Sequence, residues 1–148
     1  MRTGIRRQAR VIALQTLYEY DTTAHDVDEV LTRHAEAERL SPRVVEFAGE
    51  LVHGVLAHRD ELDEAIQGAA HDWPLAQMAR IDKNILRLAI YEILFNNSVP
   101  AKAAINEGIE LAKLFGSDTS SRFVNGVLGT ILARSHGSPA SSAGSEVR

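Results

Sequence analysis

The chain has 148 residues, enough for one domain with a real core or two small helical halves sharing one. It has no cysteine, which excludes disulfides and thiolate zinc sites and fits a reducing, cytoplasmic compartment. No apolar run approaches the roughly 18 residues of a membrane span, and a net charge of −4 rules out a globally basic polyanion binder. The distribution of charge says more. Residues 1–18 carry Arg2, Arg6, Arg7 and Arg10 and no acid. Residues 19–38 carry Glu19, Asp21, Asp26, Asp28, Glu29, Glu36 and Glu38 against Arg33 alone.

Helical signals run throughout, and strand signals are nearly absent, so the fold class is all-α. The first helix is expected from about Ile5 to Tyr20, with Ile5, Ala9, Ile12, Ala13, Leu17 and Tyr20 on one face. An arginine-rich start also suits a mitochondrial transit peptide, but this pattern continues directly into core-like residues. Asp26 reads as the N-cap of a second helix, with Glu29 as its capping-box partner and Val27, Val30, Leu31 and Ala35 as its stripe. Ser41-Pro42 reads as N-cap and first residue of a third, whose core face is Val44, Phe47, Ala48, Leu51, Val52 and Val55. A shorter element follows, with Leu62 and Ile66 inward, ending near Gly68.

His71-Asp72-Trp73-Pro74 is the main internal break, placing helical halves at about 1–70 and 74–134. Ile81 to Phe95 is apolar almost all round and is expected to be a buried central helix. Asn96-Asn97-Ser98 closes it. Pro100 starts a helix to Phe115, with Gly116 as a left-handed stop. Ser117 to Ser121 offers several N-caps for a last helix over roughly Thr119 to Ala133. From Ser135 the composition turns to Ser, Gly, Ala and Pro, which predicts a disordered tail over 135–148. Gly126 and Gly129 are expected to permit close helix packing.

On a wheel of 100° per residue, Arg6, Arg7 and Arg10 share one face within about 100°. Cations there oppose the helix macrodipole by roughly 0.3–1 kcal/mol each. Planar guanidiniums offer bidentate donors to phosphate and stack on bases, so the cluster suits RNA. A solvated basic face pairing with the acids after Glu19 is the equally available plain reading. Phe115 and Phe123 flank a polar turn, with Lys113 and Arg122 beside them. Rings interleaved with cations suit single-stranded RNA, although composition by itself favours the plainer reading, Phe115 as the contact of a C-cap and Phe123 as the first core residue of the last helix.

Catalytic constellations are missing from the pattern. Glu50-Leu51-Val52-His53 is half of a ferritin-like metal motif without a second half. His53 and His58 do not share a face well. Glu92 and Glu107 are candidate buried carboxylates that would pair with Lys or Arg. No glycine-rich phosphate loop, nucleophile motif or dinucleotide fingerprint is present, so neither an enzyme nor a metal or cofactor is expected.

Several phrases together resemble one family, the bacterial transcription antitermination factor NusB. They are Arg6-Arg7-Gln8-Ala9-Arg10 running into Ala13-Leu14-Gln15-Thr16-Leu17-Tyr18, Leu51-Val52-His53-Gly54-Val55, and Trp73-Pro74-Leu75 with Met78. More specific are Ile85-Leu86-Arg87-Leu88-Ala89-Ile90-Tyr91-Glu92, Val99-Pro100 with Ala104-Ile105-Asn106-Glu107, Glu110-Leu111-Ala112-Lys113 with Phe115-Gly116, and Phe123-Val124-Asn125-Gly126-Val127-Leu128. They cover residues 5 to about 132 in family order.

The resemblance implies about seven helices in two small packed bundles. It implies binding to the boxA element of nascent ribosomal RNA, jointly with NusE, a small-subunit ribosomal protein. That complex joins the RNA polymerase antitermination assembly and suppresses premature termination. Arg6, Arg7 and Arg10 match the family's RNA-binding arm, which often has a further basic residue where Gln8 stands. Phe115, Arg122 and Phe123 match a second RNA contact, and Tyr18 and Asp82 match part of the NusE surface. No membrane partner is implied, and both monomer and homodimer fit. NusB-like domains also occur fused to RNA methyltransferases as RNA-binding modules for RNA processing or modification. A helical adaptor that binds protein only is the rival from another class.

Overall fold

A computed structural model describes residues 4–96 and 98–136. It contains seven α-helices: α1 Ile5–Thr23, α2 Val27–Ala37, α3 Pro42–Ala57, α4 Arg59–Ala69, α5 Arg80–Leu94, α6 Ala101–Phe115 and α7 Ser120–His136. A single 3-10 turn, Leu75–Gln77, lies between α4 and α5. No strand occurs among the described residues, and no helix there is long and apolar enough to cross a membrane.

The starts of α2 and α3 follow from their caps. Asp26 accepts the Glu29 N–H at 3.1 Å, and Ser41 Oγ accepts the Val44 N–H ahead of Pro42. α1 runs three residues past Tyr20 and ends on Ala24, which holds a left-handed conformation at φ 60° and donates its N–H to the Tyr20 carbonyl. An alanine in that region is strained, and the closing bond offsets part of the cost.

α5 is the hub. It packs on α1, α3, α4, α6 and α7. One hydrophobic cluster therefore crosses the break at 71–74, from Leu14 and Leu17 of α1 through Val52, Leu62, Ile66 and Ile85 to Val124 and Leu128 of α7. A smaller cluster of Ala9, Ile12, Leu31, Val44 and Ala48 joins α1, α2 and α3. Burial of α5 nearly all round agrees with its expected central place, but four polar residues, Asp82, Asn84, Arg87 and Glu92, are buried with it. Arg87 is held by Asp63 at 2.7 and 3.1 Å, and Glu92 by Arg10.

The glycine expectations need correction. Gly116 is not left-handed: its φ is −93° and its ψ −172°. The chain leaves α6 extended, and Ser120 folds back over it so that a Cβ on Gly116 would lie 2.5 Å from the Ser120 side chain. Close approach, rather than backbone sign, selects glycine there. Gly126 and Gly129 are exposed on α7, and a Cβ on either would meet nothing within 4 Å. The packing glycines are Gly54, whose Cβ would sit 2.1 Å from the Tyr91 ring, and Gly108, which admits Leu128 and Ala89. The Ser-rich tail falls outside the described residues from 137 onward, while Ser135 still belongs to α7.

Candidate nucleic-acid interface

The start of α1 is electrostatically costly. Gly4 supplies no side-chain cap, and the first turn holds no acid. Arg6 and Arg7 nevertheless stand exposed there. What offsets the cost comes from the other half of the chain. Arg7 donates to both carboxylate oxygens of Glu107 on α6, at 3.1 and 2.7 Å. Arg10 donates to both oxygens of Glu92 on α5, each at 2.8 Å, and also lies 3.7 Å from Glu107.

Arg10 therefore departs from the expected exposed three-arginine face. Its side chain is 7% exposed, and Glu92 is 3% exposed. The wheel placed it beside Arg6 and Arg7 correctly, but α5 covers that edge of α1. The plain reading of a basic end pairing with the acids after Glu19 also fails. Glu19 binds Arg33 and His25, Asp28 binds His53, and Asp21 binds Arg59 at 2.9 Å with Arg87 behind it.

The ionisation of these groups follows from the pairing. Arg7's hydrogen bond, with its charge and that of Arg10, holds the Glu107 carboxyl below its ordinary range, against the opposing effect of burial. Burial disfavours the Arg10 charge, but the hydrogen bonds and charge of Glu92 outweigh it and raise its pKa further. Arg7 is raised by its bond to Glu107. The pairing thus favours the charged form of all three groups.

Arg6 has a different environment. Its guanidinium donates to Ser98 Oγ at 3.2 Å and lies 4.8 Å from the centre of the Phe47 ring. Arg43, one helical turn before Phe47 on α3, lies 5.7 Å from the same ring. Arg6, Arg10, Phe47, Glu50, Asn96 and Ser98 line a small pocket at this end of the molecule. Sequence reasoning missed Arg43 and Phe47 as part of this face. The four-residue spacing on α3 hinted that cation and ring meet. Nothing in the sequence showed that Arg6 would join them.

The expected second contact splits in two. Phe115 is 37% exposed at the end of α6, beside Leu114 at 66%. It lines an open groove with Leu14, Tyr18 and Ile81. Phe123 is half-buried against the main core and meets Trp73 with ring centres 6.4 Å apart. Arg122 is exposed, and Lys113 lies 3.5 Å from Glu110. The structure thus places Phe115 with the expected partner residue Tyr18. Tyr18 is 41% exposed, whereas Asp82 is 9% exposed in the first turn of α5, and its Oδ1 has no hydrogen-bond partner among the described residues.

Comparison with known proteins agrees with this architecture. The NusB family model matches residues 7–133. A transcription antitermination protein NusB from Roseiflexus sp. (strain RS-1) is 50% identical over 133 residues, covering 88% of this chain and 94% of the relative. Among solved structures, T. maritima NusB matches with a TM-score of 0.81 at 30% identity, over 90% of this chain and 94% of its own. A crystal structure of antitermination factors NusB and NusE in complex with dsRNA matches with a TM-score of 0.80 at 25% identity, over 87% and 96% of the two chains. A family match over most of the chain, joined to the same seven-helix fold, shows that this chain belongs to the NusB family of transcription antitermination proteins.

Proposed function

We propose that this chain binds the boxA element of nascent ribosomal RNA together with NusE, and that the assembly on RNA polymerase suppresses premature termination. The carrying observation is the exposed cationic start of α1. Two guanidiniums, Arg6 and Arg7, stand in a first turn without a single acid, on a chain of acidic net charge. A structural relative is seen with both NusE and double-stranded RNA, which supports the two partners.

Arg6 and Arg7 contact phosphate in this reading, and Arg10 holds α1 in place through Glu92. Lys113, Phe115, Arg122 and Phe123 supply the second RNA region, with Phe115 at its border with the NusE surface. Tyr18 and Asp82 belong to that surface. The exposed Tyr18 ring, which shares an open groove with Phe115 and Ile81, supports this surface.

The test is a titration of boxA and scrambled RNA at two salt concentrations, with and without NusE. Specific, salt-sensitive binding that NusE strengthens is expected, and RNA must strengthen NusE binding by the same factor. Equal binding of scrambled RNA, or NusE binding indifferent to RNA, would count against it. A protein-only adaptor would bind NusE and no RNA.

A further inference from the structure

The cations at the α1 end are of two kinds. Arg7 and Arg10 are neutralised by Glu107 and Glu92. Arg6 and Arg43 form no ion pair among the described residues, and both stand over one ring, that of Phe47. Among the described residues, the hydrogen-bond partner of Arg6 is a neutral hydroxyl, Ser98 Oγ. Two guanidiniums without ion-pair partners among the described residues, gathered on one aromatic side chain, repel each other, and the cation–π contacts they make there can be replaced by a stronger ligand. The pocket beside the ring carries donors and acceptors from Asn96, Glu50 and Ser98.

We infer that Phe47, flanked by Arg6 and Arg43, is a nucleotide subsite for single-stranded RNA. A base stacks on the Phe47 ring in place of the Arg6 guanidinium, and Arg6 and Arg43 hold the phosphates on either side. A single-stranded polynucleotide matches this arrangement because it offers a π-face between two anions. A folded acidic protein would use the charges and leave the ring unused. This inference rests on the RNA-binding reading and deepens it, extending the RNA path from α1 onto α3.

The experiment uses the full chain with NusE and fluorescent boxA RNA. It compares wild type with Phe47→Leu, Phe47→Trp and Arg43→Gln, and repeats each titration on RNAs carrying one abasic position at a time. Phe47→Leu should weaken binding by about 5- to 150-fold, the range for one lost base–ring stack, and Phe47→Trp should retain it. Arg43→Gln should lower the log–log salt slope by about 0.7, the change for one lost phosphate contact. One abasic position should weaken wild type and have no further effect on Phe47→Leu. Circular dichroism checks that each variant folds; should Phe47→Leu not fold, the Arg43→Gln slope and the abasic scan of wild type decide. Wild-type affinity, slope and abasic profile in the folded variants would overturn the subsite and leave the RNA reading intact. No RNA binding by wild type would instead overturn that reading itself.

Discussion

Arg10 of α1 and Glu92 of α5 are joined by two parallel hydrogen bonds of 2.8 Å, with both side chains almost wholly out of solvent. This pair ties the helix that carries the exposed cations to the hub of the fold. Removing one partner leaves a buried charge without compensation, at a cost of about 3–5 kcal/mol. Arg10→Ala should therefore lower the melting temperature sharply, whereas Arg6→Ala should hardly change it. The double variant Arg10→Met with Glu92→Leu should recover much of the loss, because apolar replacements remove both desolvated charges. Thermal melts of the four proteins decide, and a mild Arg10→Ala would show that the pair carries little.

Under the proposed RNA-binding reading, Glu107 competes with RNA for Arg7. Its carboxylate occupies the same two guanidinium donors that a phosphate would take. Glu107→Gln removes that competitor and a local negative charge, so RNA affinity at low salt should rise. Arg7→Ala should weaken binding and shallow the salt slope by about 0.7. Anisotropy titrations across a salt series check both, and a Glu107→Gln variant that binds more weakly would contradict the competition.

Acid should loosen the fold through the same carboxylates. Glu107, Asp21 and Glu19 are all held below their ordinary values, Glu107 by Arg7 and Glu19 by Arg33 and His25. For Asp21, burial opposes the charge, but Arg87, Asn84 and Arg59 prevail. A depressed carboxyl stabilises the native state above its unfolded pKa, near 4.5 for Glu107, and loses that contribution as pH falls through the lower folded value. Unfolding free energy should thus be flat near neutrality and decline below about pH 4.5. Glu107→Gln should show a shallower decline in urea titrations across pH.

Two glycines of opposite environment make a paired test. Gly54→Ala drives a methyl into the Tyr91 ring and should cost about 1–3 kcal/mol or more as overpacking. Tyr91→Leu should relieve part of that cost by removing the end of the ring. Gly126→Ala meets open space on a helix and should stabilise by roughly 0.5–1 kcal/mol. Denaturant midpoints measure all three, and equal effects at the two glycines would refute the packing assignment.

Phe115 and Phe123 should separate in the same kind of measurement. Alanine at the exposed Phe115 should leave the melt nearly intact and weaken the binding of RNA or of NusE. Alanine at Phe123 removes a ring from the core's edge and should cost a substantial part of the about 3–5 kcal/mol of a fully buried phenylalanine. Melting paired with binding of each partner distinguishes them, and a heavy stability loss at Phe115 would place that ring in the core.

Sequence determined the local structure because its signals are local. Apolar residues three and four apart marked every helix, Asp26 and Ser41 marked two starts, and Trp73-Pro74 marked the break. The family phrases carried the resemblance because they combine those spacings with particular side chains at α5, α6 and α7. Glu92 and Glu107 were read as carboxylates awaiting cations, but which cations could not be read, since Arg10 and Glu92 stand 82 residues apart. Tertiary packing alone chose the partners. It laid α1 against α5, buried Arg10, let Arg7 reach Glu107 on α6 and left Arg6 over the Phe47 ring. It also decided which glycines meet a neighbour, because a helical repeat gives the face of a residue and not what lies opposite. An exposed charge and a buried pair share the same sequence pattern, and only the desolvation imposed by a neighbouring helix distinguishes them.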